Sequence, residues 1–286
     1  MKIDAHAKIN LGLDVIRRRD DGYHEVRMIM QTIGLHDELR IERLEREGIV
    51  ITTERDDLPV NKDNLIYRAA KLMIDEYSLE GGISVGLTKN IPVAAGLAGG
   101  SSDAAATLRA VNELYELGLS DDELAKLGVR IGADVPYCIM GGTALSEGIG
   151  EVLTPLAPCP ACRVLLAKPP VGVSTAYVYS HLDLKSVTHP DIDRMQKGID
   201  KGDIGTIADA VGNVLETVTV PANPVINDIK KMMNENGALA SLMSGSGPTV
   251  FGLFLSDDDM LKAYECIKRS GIAPELVMTE IFDPKA

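Results

Sequence analysis

The segment from Pro92 to Asp103 constrains the fold more than any other part of this 286-residue chain. It contains three glycines, follows an apolar run that predicts a strand, and leads into a run with helical periodicity. Glycine-rich backbone at a helix N-terminus offers free N–H groups and the positive end of the helix dipole, which suits phosphate. The segment lacks the Gly-Lys-Ser/Thr of a Walker A loop and the G-x-G-x-x-G of dinucleotide folds. A glycine-rich turn with Ser101 as an ordinary N-cap is the alternative.

The patterns on either side of this segment predict an α+β fold. From Ala7 to Val15, apolar and polar residues alternate with period two, and Asp20-Asp21-Gly22 supplies a turn into a second strand. A separate short strand is predicted at Glu38–Arg43. Helices are predicted from Asp63, from near Ser101, from Ser120, where Glu123 completes a capping box, and over Ile204–Leu215. Strands outnumber βαβ crossovers in the first half, which favours α+β over a doubly wound parallel sheet.

Three prolines between residues 155 and 160 indicate a boundary between domains of residues 1–156 and 157–286. The formal net charge of −13 argues against capture of nucleic acid or of an anionic membrane, and aromatic residues amount to only 4%. The first residues contain no apolar signal segment, so a cytoplasmic protein is expected, and no obligate protein partner is evident. The uncharged stretch 236–256 is rich in glycine and serine, and it predicts a buried strand, a loop and a second buried strand.

Cys159 and Cys162 have the C-x-x-C spacing of redox and zinc sites. A thioredoxin-like motif opens a helix, whereas the residues that follow predict a strand, and a structural zinc site needs a second close pair. We therefore expect two incidental thiols in a proline-rich connector.

Several polar residues interrupt apolar patterns, and each has a plain structural explanation when it is taken alone. Lys8 and Asn10 lie on the polar face of the first strand, where a lysine is usually solvated. Asp134 precedes an X-Pro step, which is common in turns. The Tyr23-His24 pair follows the first turn, and the cluster 244–248 predicts either a hairpin turn or a second phosphate-facing loop.

Taken together, these segments resemble the GHMP small-molecule kinases. The superfamily likeness lies in Pro-x-x-x-Gly-Leu-x-x-Gly-Ser-Ser before a helix and in a late Gly-Ser-Gly loop before a strand. Residues 7–11, 21–25, 132–136 and 172–176 are similar to the branch that acts on a cytidine-diphosphate-linked sugar alcohol. The resemblance extends from Lys8 to Phe251. It implies a ribosomal-protein-S5-like N-terminal domain and a ferredoxin-like C-terminal domain.

The resemblance implies ATP-dependent phosphorylation of the 2-hydroxyl of that alcohol, in the non-mevalonate route to isoprenoid precursors. Phosphoryl transfer needs positioning and charge neutralisation more than covalent chemistry. Asp134 would accept the hydroxyl proton, and Lys8 beside it would keep it ionised and stabilise the attacking oxygen. The implied substrate contacts are Asn10 on the hydroxyl or diphosphate, Tyr23 stacked on cytosine, His24 at the cytosine edge, and Tyr179 as the opposing aromatic, with Tyr177 as the alternative.

For ATP, the resemblance implies binding by the backbone of the glycine-rich loop. That loop comprises Pro92, Val93, Ala94, Ala95, Gly96, Leu97, Ala98, Gly99, Gly100, Ser101 and Ser102. Asn64 and Leu65 match the adenine-side segment, and Lys89 is positioned in sequence to reach the nucleotide. Mg²⁺ is expected with ATP, with Ser102 as its ligand. The family usually has glycine at Ala95 and Ala98, and we expect a Cβ there to be tolerated if φ stays negative.

Two rival functions follow from the same residues. Another GHMP kinase, acting on homoserine, mevalonate or a sugar, needs no nucleobase pocket, so Tyr23 and His24 would be incidental. A non-catalytic ligand sensor on the same fold would tolerate loss of the base. The presence of both Lys8 and Asp134 weighs against the sensor.

Overall fold

The computed structural model describes residues 1–284, which form two compact units. The first unit comprises Met1–Ala7, Leu35–Val93 and Ala98–Met140. The second comprises Lys8–Gly34, Ala94–Leu97 and the chain from Gly141 onward. The first two strands are long and each contributes residues to both units. The domain boundary expected after residue 156 stays a prediction.

The described residues form eleven strands and ten helices. The strands are β1 Lys2–Arg18, β2 His24–Leu44, β3 Gly48–Thr53, β4 Gly82–Thr88, β5 Thr143–Glu147, β6 Val152–Pro155, β7 Arg163–Lys168, β8 Gly212–Asn213, β9 Ala240–Met243, β10 Val250–Phe254 and β11 Glu275–Glu280. The helices are α1 Leu65–Tyr77, α2 Gly99–Leu114, α3 Asp121–Val129, α4 Val135–Met140, α5 Thr175–Ser180, α6 Ile192–Lys201, α7 Ile204–Asp209, α8 Glu216–Ala222, α9 Val225–Glu235 and α10 Asp257–Ser270.

The first unit is a sheet covered by helices. In it β2 pairs antiparallel with β4, and β3 pairs parallel with β4. Leu39 and Val85 belong to a core shared with α1 and α2, and the alanine-rich buried face of α2 allows close packing. Ser120 and Glu123 form a capping box at the start of α3, as the sequence predicts.

The second unit contains a four-stranded antiparallel sheet in the order β11-β7-β10-β9, against which α9 and α10 pack. All five residues of β10 are buried. Its sequence therefore shows a continuous apolar run and no alternation between apolar and polar residues. The strand, loop and strand predicted within 236–256 are confirmed as β9, the intervening loop and β10. In the same unit β5 pairs with β2 and β6, and β8 pairs with β1.

Two predicted elements differ in the structure. The separate short strand expected at Glu38–Arg43 is the continuation of β2. The helix expected over Ile204–Leu215 ends at Asp209, and Gly212 and Asn213 instead pair with β1 as β8. No helix within residues 1–284 is long and apolar enough to span a membrane.

Candidate active site

The glycine-rich loop runs from β4 into α2. Helix α2 begins at Gly99, and its N-cap is Ala98 with φ of +58°. Ser101 therefore lies inside the first turn, and the interpretation of Ser101 as the N-cap is wrong. Ala94 also has positive φ, at +50°, whereas Ala95 is not among the residues with positive φ. We expect a Cβ at Ala95 and at Ala98 to be tolerated if φ stays negative. Ala95 meets this condition, whereas Ala98 does not.

The end of the loop packs closely against its own unit. A Cβ on Gly99 would lie 3.0 Å from Lys89 Nζ and 3.0 Å from a side-chain carbon of Ile91. A Cβ on Gly100 would lie 3.5 Å from Leu65. Gly100 is exposed at the N-terminus of α2, where unpaired N–H groups suit an anion.

Behind Gly99 lies a buried cluster of one lysine and two carboxylates. Lys89 Nζ donates to Asp37 Oδ2 at 2.5 Å and to Asp103 Oδ2 at 2.6 Å. Asp37 Oδ1 accepts from the backbone N–H groups of Asn90 and Ile91, at 2.6 and 2.8 Å. Sequence reasoning missed Asp37, which lies in the polar run His36-Asp37-Glu38 and carries no local signal of its burial.

Lys89 already has two partners in this cluster. Its side chain is only 5% exposed and its ammonium is held by Asp37 and Asp103 behind the loop, so its contact with a nucleotide stays a prediction. Burial raises the pKa of Asp103 to about 7; Lys89 opposes this rise and Asp37 adds to it. Asp103 Oδ1 is buried and has no hydrogen-bond partner among the described residues.

The remaining expected nucleotide residues of this unit have structural partners. Asn64 is the N-cap of α1: its Oδ1 accepts from Ile66 N at 2.9 Å, and its amide donates to Pro59 O at 2.7 Å. The buried Ser102 hydroxyl donates to the main-chain carbonyl of His6. The Leu65 side chain lies beside Gly100, 3.5 Å from the position that a Cβ would take there.

Asp134 lies in the first unit, immediately before α4. Its main-chain carbonyl accepts from Cys138 N at 3.0 Å, which fits a residue at a helix start. A Cβ on Gly132, in the same turn, would lie 3.9 Å from Ser101 Oγ. This turn therefore lies beside the first turn of α2. Lys8 belongs to the second unit, so its pairing with Asp134 stays a prediction.

In the second unit, Lys8 is buried and its ammonium is hydrogen-bonded. Lys8 Nζ donates to Asn10 Oδ1 at 2.7 Å and to the Gly96 carbonyl at 3.1 Å. The main-chain N–H of Lys8 also donates to Leu97 O, at 3.1 Å. An ammonium has three N–H donors, and these contacts use two of them. The structure therefore brings together Lys8, Asn10 and the middle of the glycine-rich loop.

The second glycine cluster, residues 244–248, is the loop of the β9–β10 hairpin. Ser244 Oγ donates to the Gly96 carbonyl at 3.0 Å. A Cβ on Gly96 would lie 2.2 Å from the Ser244 carbonyl oxygen, so only glycine fits there. Asn213 donates to Met243 O and Gly245 O, both at 2.8 Å, and fixes the hairpin loop. Sequence reasoning singled out the cluster that contains Ser244, but it missed Asn213 because the partners of Asn213 are distant in sequence.

Two of the residues expected to hold a nucleobase, His24 and Tyr179, also meet in the second unit. The rings of His24 and Tyr179 are 5.2 Å apart and tilted by 42°. Tyr177 instead stacks on His181, with 3.9 Å between centroids, so the geometry favours Tyr179 over Tyr177. Tyr23 is 60% exposed, which leaves its ring available. Burial lowers the pKa of His24, with Arg18 adding to the effect, and both favour the neutral imidazole.

Two family models match the chain. The model of the GHMP kinases N terminal domain matches residues 64–142, and that of the GHMP kinases C terminal domain matches residues 195–273. The homoserine kinase of Cytophaga hutchinsonii is similar in fold, with a TM-score of 0.78 at 21% identity over 99% of this chain and 94% of that chain. The fold and its glycine-rich loop therefore define a small-molecule kinase of the GHMP class.

Closer relatives narrow this class. The 4-diphosphocytidyl-2-C-methyl-D-erythritol kinases of Lachnospira eligens and Geobacillus kaustophilus are 54% and 52% identical, over 99% and 94% of this chain and 99% and 93% of their own length. A crystal structure of a 4-(cytidine 5'-diphospho)-2C-methyl-D-erythritol kinase has a TM-score of 0.85 at 32% identity, over 98% of this chain and 99% of that chain. The chain belongs to the 4-diphosphocytidyl-2-C-methyl-D-erythritol kinase family, and it is an ATP-dependent kinase with the two-domain GHMP fold.

Proposed function

We propose that this kinase transfers the γ-phosphoryl group of ATP to the 2-hydroxyl of 4-diphosphocytidyl-2-C-methyl-D-erythritol, a step towards isoprenoid precursors. The observation that carries the proposal is the ring pair of His24 and Tyr179 with the exposed Tyr23 nearby in sequence. A kinase that acts on homoserine or a simple sugar needs no aromatic pocket for a nucleobase, whereas a kinase that acts on a cytidine-linked substrate does. Full-length relatives at more than half identity support the same substrate.

In this proposal the aromatic residues bind the cytosine ring and His24 reads its polar edge. Stacking on an aromatic side chain contributes about 1–3 kcal/mol per base and is tolerant of base identity. Discrimination between cytosine and uracil therefore needs a hydrogen bond. A neutral imidazole has one donor and one acceptor nitrogen, so His24 supplies either, according to its tautomer.

For the chemical step, we propose that Asp134 accepts the proton and that Lys8 stabilises the negative charge that develops on the attacking oxygen. Asp134 accepts the proton of the attacking hydroxyl, and a positioned base of this kind contributes about 10²–10⁴-fold. Lys8 is held by Asn10 and by the Gly96 carbonyl, which fixes its ammonium in one orientation. Lys8 thereby links Asn10, which we assign to the alcohol site, to Gly96 in the glycine-rich loop.

For the nucleotide, the proposal assigns the triphosphate to the backbone of the loop and the adenine side to Asn64 and Leu65. Mg²⁺ prefers oxygen ligands and keeps several waters, so a hydroxyl together with phosphate oxygens suffices to hold it. Ser102 fits this requirement, since its hydroxyl proton is directed to the His6 carbonyl and its oxygen keeps lone pairs. When bound, the ion neutralises charge on the phosphates.

Inhibition by free cytidine nucleotides tests the substrate assignment without a variant. CMP and CDP are expected to compete with the alcohol substrate and not with ATP, whereas UMP and UDP should inhibit more weakly. The variant Tyr23→Ala should raise KM for the alcohol and leave KM for ATP nearly unchanged. Failure of CMP and CDP to inhibit at millimolar concentration, together with turnover of homoserine, mevalonate or a sugar, would replace the proposal by another GHMP kinase activity.

A further inference from the structure

One cluster of metal-ligating side chains lies outside the residues used for phosphoryl transfer. Asp4 and His6 stand two residues apart on β1, so both side chains project from the same face of the strand. His36 lies on β2, the neighbouring strand in the sheet. One ligand atom from each of the three residues lies within 4.8 Å of the other two. No other such group of histidines, cysteines and acids occurs within residues 1–284.

We propose that Asp4, His6 and His36 bind a divalent transition-metal ion of the zinc type. Zinc forms bonds of about 2.0–2.2 Å to imidazole nitrogen and carboxylate oxygen, which sets tetrahedral ligand atoms about 3.4 Å apart. His36 Nε2 and Asp4 Oδ2 are already 3.8 Å apart. Asp4 is exposed and both histidines are half-buried, and metal binding would require their side chains to rotate towards one another.

The donor set separates this site from the Mg²⁺ that accompanies ATP. Two imidazole nitrogens and one carboxylate suit zinc, copper or nickel, whereas Mg²⁺ selects an all-oxygen shell. Three protein ligands leave a fourth position for water. The nearby acid Glu38 already has a partner, since it pairs with Lys2 at 2.7 Å. Asp4 is therefore the one carboxylate of this group, and the two imidazoles favour a borderline metal over a hard one.

The main chain of both histidines is tied to the region of the glycine-rich loop. The His6 carbonyl accepts from the Ser102 hydroxyl, and the His36 carbonyl accepts from the Asn90 side-chain amide at 2.9 Å. Ser102 at one end of the loop is thus bonded to β1, and Asn90 at the other end is bonded to β2. A metal that joins β1 to β2 would therefore hold together the two strands to which the ends of the loop are attached. This places the ion in a structural role, with stabilisation of the fold as its main effect.

The test is a titration of the chelator-treated, full-length protein with Zn²⁺ in competition with a chromophoric chelator. We expect one ion per chain and, at saturation, a Tm raised by several degrees. His6→Gln and His36→Gln should each weaken binding at least about tenfold. His181→Gln is the matched control, an exposed histidine on α5's C-terminal side whose loss should leave the affinity unchanged.

Co²⁺ provides a readout that needs no variant. The bound ion should absorb in the visible as a nitrogen- and oxygen-ligated centre, without a thiolate-to-metal charge-transfer band. A thiolate band that disappears in a Cys138→Ser, Cys266→Ser double variant would overturn the proposal. Stoichiometric binding that both histidine variants retain would also overturn it, as would the absence of one-to-one binding or displacement of Zn²⁺ by an equal concentration of Mg²⁺.

Discussion

The buried carboxylate of Asp37 allows a sharp test of how the glycine-rich loop is held. Three hydrogen bonds reach it, at 2.5, 2.6 and 2.8 Å, from Lys89 and from the backbone N–H groups of Asn90 and Ile91. In Asp37→Ala the buried N–H of Ile91 loses its acceptor, and Lys89 keeps only Asp103. Because loss of one partner of a buried ion pair costs about 3–5 kcal/mol, and Asp103 remains, we expect about 3 kcal/mol of lost stability.

Asp37→Asn is the more informative change. Its amide oxygen can still accept from the backbone, but its charge is lost and its NH₂ group faces the Lys89 ammonium, so we expect about 2 kcal/mol of lost stability. Lys89 and Ile91 pack against the position of a Gly99 Cβ, so their displacement should reach the loop. We expect KM for ATP to rise about tenfold, equivalent to about 1.4 kcal/mol, with KM for the alcohol nearly unchanged.

Urea unfolding and steady-state kinetics, measured on the same preparations, check both expectations. The matched control is Glu38→Gln, which removes the neighbouring surface ion pair with Lys2 and should leave the stability nearly unchanged. If Asp37→Asn loses stability while KM for ATP stays at the wild-type value, Asp37 supports the fold without positioning the loop. If it loses no more stability than Glu38→Gln, the energetic argument for the buried cluster is wrong.

Four further outcomes follow from the structure. Asp134→Asn should lower kcat about 10²–10⁴-fold with nearly normal KM for ATP, measured by coupled assay. Gly96→Ala should raise KM for ATP and lower Tm, because its Cβ would lie 2.2 Å from a carbonyl oxygen. Ala98→Gly should raise the free energy of unfolding by up to about 1 kcal/mol, since φ is +58° there. Burial raises the pKa of Cys159 to about 12 and of Cys162 to about 11, so at pH 8 both should react with iodoacetamide at least about 100-fold more slowly than a free thiol, followed by mass spectrometry.

These outcomes have built-in controls. Gly22 also has positive φ, at +87°, but has no atom within 4 Å of its Cβ position, so Gly22→Ala measures backbone strain without a clash. A Gly96→Ala variant no worse than Gly22→Ala would contradict the close approach to the hairpin loop. Near-normal kcat in Asp134→Asn would show that Asp134 is not the catalytic base and has only a structural role in its turn. Rapid alkylation of the native protein at pH 8 would show that the two cysteines are not buried.

The parts of the site that sequence predicted are those with local signals. Alternation along β1 located Lys8 and Asn10 on one face, and the structure joins them by a 2.7 Å hydrogen bond. The turn before His24 and the capping box at Ser120 rest on residues within a few positions of each other, and both are found. Such features depend on neighbouring residues, so a single sequence contains the information needed.

The features that sequence missed depend on distant partners. Asp37 is recognised only when Lys89 lies beside it, and these residues are 52 positions apart. Gly212 and Asn213 follow a helical pattern, yet they form β8 because β1 offers a free edge for two residues. Periodicity describes which face of an element is apolar, but it does not tell which other element will cover that face.

The glycine-rich loop shows why residue identity in a motif needs geometry before it can be interpreted. Gly96 has φ of +74° and a neighbouring carbonyl oxygen at the place of a Cβ, so both conformation and space demand glycine. Ala98 shares the positive φ but, half-buried, accommodates its methyl group, so the cost there is conformational only. A left-handed conformation costs an L-residue about 1–2 kcal/mol, which a folded chain can tolerate, whereas a 2.2 Å contact cannot persist without displacement of the hairpin loop. The substitution of alanine for the usual glycine is therefore compatible with an intact loop at position 98, and it would not be compatible at position 96.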